Sequence, residues 1–211
     1  MTIWVWIPIS LSLVSLIGTW SVSSGSSTPE NSLFSAVISA GAFLFLVFSI
    51  FHHAHIMERN ANQSLLSRIA LVFGVVASMG AFGAGNCNPG YLTFLHHLAA
   101  AISFICICFY TVLLTALTGK STLTGFERYL YFMRIASSVF QVILTIGYTI
   151  MYAQSNYEAM HFSAVFEWML SVNLELFELS FVVEFSFFHS WMLSNLLGQR
   201  EELKPLILSM S

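Results

Sequence analysis

Apolar residues gather into six long runs separated by short polar connections, at about 3–22, 33–51, 67–85, 93–117, 129–152 and 162–190. At about 1.5 Å rise per residue each run crosses, or nearly crosses, a hydrocarbon layer of about 30 Å. The pattern predicts an all-α polytopic membrane protein: a bundle of six transmembrane helices over residues 1–190, then a short tail over 191–211. The first run starts almost at the initiator Met and has no basic segment before it. It is therefore expected to be a membrane helix and not a secretory signal. Pro8 falls near its start, where a missing N–H is tolerated.

Two runs depart from plain hydrophobicity. The third carries Gly74, Gly80, Gly83 and Gly85 with Ala77, Ala81 and Ala84, concentrated toward one end. Small residues at three- and four-residue spacing permit close backbone approach between membrane helices, so this face is expected to receive a neighbouring or partner helix. The sixth run, HFSAVFEWMLSVNLELFELSFVVEFSFFHS, holds Glu167, Glu175, Glu178 and Glu184. A charge at the centre of a membrane helix costs on the order of 2.5–3.5 kcal/mol on insertion scales, so four acids demand protein around them. With Glu167 at zero, Glu178 falls at about 20°, Glu175 at about 80° and Glu184 at about 260°. Three acids share a face, and the fourth points elsewhere.

Charge sets the orientation. The connections after the first, third and fifth runs hold no Lys or Arg, whereas Arg59, Arg68, Lys120, Arg128, Arg134, Arg200 and Lys204 lie in or beside the second connection, the fourth connection and the tail. The positive-inside rule then places both termini in the cytoplasm. The sequon Asn62-Gln63-Ser64 falls on that same side and is expected to stay unmodified. Composition agrees with membrane residence, with 57% hydrophobic and 8% charged residues in a chain of 211. A formal charge of −3 with scattered basic residues excludes a nucleic-acid footprint.

Several short stretches together resemble the DRAM (damage-regulated autophagy modulator) proteins and their tentonin and PGAP-type relatives. They are PENSLF from Pro29 to Phe34 entering the second run, the small-residue third run ending in Gly85-Asn86, His96 opening the fourth, and Glu167-Trp168 followed by Glu184-Phe185. The resemblance implies a six-span membrane protein without an established catalytic site, connected with lipid homeostasis, membrane-protein assembly or autophagy. The chain departs from the family pattern in having Asn86-Cys87-Asn88 where Asn-Phe-Gln is common, and in lacking a cysteine pair in the first connection. Glu175 and Glu178 stand where relatives usually have apolar residues, so no role for them is inherited.

Antiparallel neighbours offer two polar pairs, His96 or His97 with Glu167 at one surface and Arg134 with Glu184 at the other, both expected as structural clamps. Glu175, Glu178, Asn173 and Gln141 are expected near mid-depth, where ionisable groups point to function by default. They are read as contacts for a partner helix or a lipid, with internal hydrogen bonding and an ion path as alternatives. An ion channel, transporter or lipid-transfer component would use this acidic seam. The sequence shows neither an inverted repeat nor a broken helix pair to support it.

His52, His53 and His55 are expected in a membrane-surface loop and not in a metal site, and no haem ligation is expected. Neither a serine elbow, a zinc-protease box nor a phosphate loop occurs, so no enzyme, metal or cofactor is expected. Cys106 and Cys108 are expected as buried thiols, and Cys87 has no evident partner. The tail from Glu202 to Ile207 resembles an acidic di-leucine sorting signal. The expectation is a non-enzymatic membrane adaptor, binding lipids and another membrane protein, in the plasma membrane or an endolysosomal or ER membrane.

Overall fold

The computed structural model describes residues 3–21, 30–59, 61–87, 90–120, 125–154 and 156–186. A 3₁₀ turn, Ile3–Val5, leads into α1 (Trp6–Ser21), followed by α2 (Glu30–Arg59). A second 3₁₀ turn, Ala61–Gln63, precedes α3 (Ser64–Asn86), then come α4 (Thr93–Gly119), α5 (Phe126–Ala153), α6 (Tyr157–Leu179) and the short α7 (Val182–Ser186). Among the described residues four helices are long and apolar enough to cross a membrane: Ser32–Arg59, Ser64–Asn86, Thr93–Gly119 and Glu127–Ala153. Of the other two long helices, α1 has 16 residues and α6 carries four Glu. The chain is an all-α, multi-pass membrane protein.

Local sequence explains two of the helix starts. Asn156 caps α6, its Oδ1 accepting from the Ala159 N–H at 2.8 Å and so satisfying a first-turn donor. Gly125 takes φ +51° before α5, a conformation that side chains with a Cβ resist.

Each long helix packs on its neighbours in sequence, and α1 closes the ring against α6. Ser12 marks that seam, donating from Oγ to the carbonyl of Glu175 at 3.1 Å. Large side chains fill the ring's interior: Phe48, Tyr110, Leu114, Phe177, Phe181 and Phe185 are all nearly inaccessible. Phe48 stacks on Phe185 with ring centroids 5.3 Å apart and meets Phe181 edge-on at 5.7 Å.

The small residues of α3 are spent inside this ring. A Cβ on Gly80 would stand 2.8 Å from the Ala99 carbonyl oxygen, one on Gly74 would reach Ser49 Oγ at 2.5 Å, and one on Gly85 would reach Ile38 at 2.8 Å. The glycines let α2 and α4 pack closely on α3, so of the two expected occupants of this face it is neighbouring helices that Gly74, Gly80 and Gly85 receive. Between α4 and α5, hydroxyls serve the same end: Thr115 Oγ1 and Ser138 Oγ lie 2.8 Å apart, and Cys108 Sγ sits 3.0 Å from Thr145 Oγ1.

Two elements differ from the hydrophobic pattern. The second helix does not stop at residue 51 but runs on to Arg59, and His52, His53 and His55 are buried along it. They are therefore not a surface loop. The His52 ring lies edge-on to Phe181 at 5.0 Å, and His53 Nδ1 meets Ser67 Oγ at 2.7 Å. The sixth run is not one helix either, because it breaks at Ser180 and Phe181 before α7. The expected stretch beyond Ser186, including the tail, lies outside the described residues.

Candidate functional site

The five described Lys and Arg residues, Arg59, Arg68, Lys120, Arg128 and Arg134, all lie toward the end where α2 meets α3 and α4 meets α5. At this basic end Arg134 is 1% exposed, which is tolerable for a guanidinium only if every donor is used. Its Nε donates to Ser180 Oγ at 2.8 Å and its Nη2 to the Ser180 carbonyl at 2.7 Å. Nη1 donates to Thr118 Oγ1 at 3.0 Å, and both Nη atoms reach Glu184, Nη2 to Oε2 at 2.9 Å. The guanidinium carbon also sits 3.5 Å from the centroid of the Phe181 ring. This explains the helix break. No Gly or Pro stands there, but Arg134 captures the carbonyl of Ser180 and draws Glu184 back toward α5. Ser180 and Thr118, half of this arrangement, have no distinguishing signal in the sequence.

Arg134 and Glu184 thus meet, whereas His96 and Glu167 make no direct hydrogen bond among the described residues, though they lie within electrostatic reach of one another. His96 Nδ1 faces two carbonyls at the C-terminal end of α3, Ala84 O at 2.9 Å and Cys87 O at 3.0 Å, while Glu167 stays on the outer surface. Nearer backbone acceptors outcompete a carboxylate on another helix. The three cysteines are free thiols.

The residues read as partner contacts point mostly inward. Gln141 is 1% exposed, Glu178 2%, Glu175 6% and Asn173 9%. Glu178 is one residue from the end of α6, toward the basic end. Asn173 and Gln141 join α6 to α5: Asn173 Nδ2 donates to Gln141 Oε1 at 2.6 Å and to the Ser137 carbonyl at 3.1 Å, and Ser137 Oγ donates to Asn173 Oδ1 at 3.0 Å. Asn173→Ala strips Gln141 of that donor and is expected to lower stability by about 1–3 kcal/mol. Unfolding of the purified protein in detergent measures it, and Gln141→Leu placed on top should cost much less than it does alone.

Beside this network α5 and α6 part to leave a groove of about 470 Å³ on the flank of the bundle. Met133, Ala136, Phe140, Leu176 and Phe177 give it apolar walls, while Ser137 and Asn173 stand in its lining and Arg134 and Ser180 at its basic end. Of the four residues expected to meet a partner, Asn173 alone lines it. Among the described residues no three His, Cys, Asp or Glu side chains converge as metal ligands.

The whole described bundle corresponds to one known domain, because the model of the Frag1/DRAM/Sfk1/Cwh43P N-terminal domain matches residues 4–188. The chain belongs to the Frag1/DRAM/Sfk1 family. Transmembrane protein 150A is a relative, 23% identical in Xenopus laevis and 22% in Homo sapiens over 161 residues. That alignment covers 76% of this chain and 59% of each relative, so the chain spans about three fifths of their length. Modulator of macroautophagy TMEM150B-A of Xenopus laevis is 26% identical over 204 residues, covering 86% of this chain and 87% of that protein. No solved structure matches.

The resemblance read from short stretches is to this family, and three of its residues meet at one place in the fold. Gly85 admits Ile38 of α2, and Asn86 bridges to α2 by accepting from Ser35 Oγ and donating to Ser39 Oγ, both at 2.9 Å. Its Nδ2 also donates to the Phe82 carbonyl at 2.8 Å. With His96 facing the carbonyls of Ala84 and Cys87 at the end of α3, this corner of the Frag1/DRAM/Sfk1 bundle ties α2, α3 and α4 together opposite the basic end.

Proposed function

We infer that the protein is a non-enzymatic membrane adaptor or regulator that modulates macroautophagy by binding a partner membrane protein or lipid along the α5–α6 flank. The observation that carries this reading is the groove there, apolar-walled with Asn173 and Ser137 as polar handles, which suits a helix or lipid chain better than a reaction. Support for the process comes from the relatives called modulators of macroautophagy. Six spans with both termini and the 191–211 tail in the cytoplasm complete the proposal, supported by the confinement of Lys and Arg to one end. The same adaptor role extends to lipid homeostasis or membrane-protein assembly in the plasma membrane or an endolysosomal or ER membrane.

Ala136 lines the groove and lies on the outer surface, so Ala136→Trp fills it without touching the core. Cells lacking the protein are expected to show altered autophagic flux, restored by the wild type and by the surface control Met79→Trp, but not by Ala136→Trp. Quantitative mass spectrometry of the purified variants should find the groove's occupant reduced about tenfold, roughly 1.4 kcal/mol. Full rescue by Ala136→Trp sinks the groove, and unaltered flux in the deletion sinks the autophagy role.

A further inference from the structure

The interior toward the basic end holds more acid than it holds base. Glu175 and Glu178 are buried, and their Oε1 atoms have no hydrogen-bond partner among the described residues. Arg134, the one Lys or Arg buried among the described residues, is committed to Glu184, Ser180 and Thr118. A third group points to the same need. The Tyr110 hydroxyl, on a residue 1% exposed, makes no geometrically good hydrogen bond, with only Ser49 beside it, and lies within electrostatic reach of Glu178. Glu178 in turn feels Glu175, one turn back on α6. Two neighbouring buried carboxylates without a counter-charge are not sustainable as anions, so a positive charge must accompany them.

We propose that Glu178, Glu175 and Tyr110 form a cation-holding site inside the bundle, taking up one positive charge, carried by a proton or by an alkali metal ion with oxygen ligands. Glu175 on its own helix and the Tyr110 hydroxyl of α4 supply oxygen beside Glu178. His52 of α2 and Arg134 of α5 both pack on Phe181, three residues further along the chain. A small cavity lies at the basic end. There His52, His55, Thr118, Arg59, Glu127 and Glu184 line a recess of about 20 Å³, room for a single water or ion. Both ring nitrogens of His55 are buried without a partner among the described residues. The helix break at Ser180 and Phe181 stands in the chain between the acids and Glu184 of this recess. Holding a charge needs no path through the membrane, and the site is independent of the α5–α6 groove.

The test uses the full chain in lipid nanodiscs, with sodium chloride against choline chloride at equal ionic strength, and acidification from about pH 8 to about pH 5. A metal ion raises the thermal midpoint in sodium by about 5 °C. A proton instead makes a protonated-carboxyl C=O infrared band grow on acidification. Either signal is expected to vanish in Glu178→Gln and to shift in Tyr110→Phe, which leaves both acids in place and carries the test should Glu178→Gln misfold. A wild type that answers neither sodium nor acid overturns the proposal, as does a response unchanged in both variants.

Discussion

Arg134→Leu is expected to lower stability by about 3–5 kcal/mol, enough to remove most folded protein from detergent extracts. The loss does not measure the worth of one ion pair. Removing the guanidinium leaves the Glu184 carboxylate in a largely buried place without its counter-ion, with side-chain exposure of 12%, and frees the carbonyl of Ser180 that the break in the sixth helix exposes. Arg134→Lys should not rescue, because an ammonium cannot serve Ser180, Thr118 and both carboxylate oxygens in one plane. Arg134→Met combined with Glu184→Gln should recover much of the loss, since replacing a buried pair by neutral groups is often nearly neutral. Chemical unfolding of the variants measures all three, and a single Arg134→Leu as stable as wild type contradicts this view of the latch.

Gly80→Val is expected to be the other severe substitution, at about 3 kcal/mol or more, because its Cβ would press on backbone and not on a side chain that can turn aside. The atoms it would meet are Ala99 O at 2.8 Å and Ser103 N at 2.9 Å, where α3 packs on α4 and Ser103 Oγ donates to the Ala77 carbonyl at 3.0 Å. Gly83→Ala meets only the Ala99 Cβ at 3.2 Å and should change stability by less than about 1 kcal/mol. Yield after extraction and the unfolding midpoint separate the two. Equal losses would show that glycine count matters and geometry does not.

The helices were legible in the sequence because an apolar run of some twenty residues has few other fates. What lay beyond reach was decided between helices. The periodicity of the sixth run correctly gathers Glu175 and Glu178, buried together, but a helical wheel gives angles and not the identity of what a face meets. It groups Glu167 with them, yet Glu167 lies on the outer surface. The break at Ser180 has no local signature, since LSFVVE contains neither Gly nor Pro and the cause sits forty-six residues away on α5. The histidines misled for a related reason. A polar triplet after an apolar run reads as a membrane edge, but His52 is an aromatic ring to Phe48 and Phe181 as much as it is a base. The candidate groove was invisible, because it arises from how two helices diverge.

Closure of the ring through α1 and α6 has a bearing on biosynthesis. The contact that completes the circle joins α1 to α6, helices far apart in the chain, with Ser12 reaching the backbone of Glu175. During translation α1 must therefore wait beside the translocon, one flank bare, until α6 has been made. For that interval the nascent assembly is an open horseshoe, and an insertase or chaperone that shields its gap would govern how much finished protein a cell obtains.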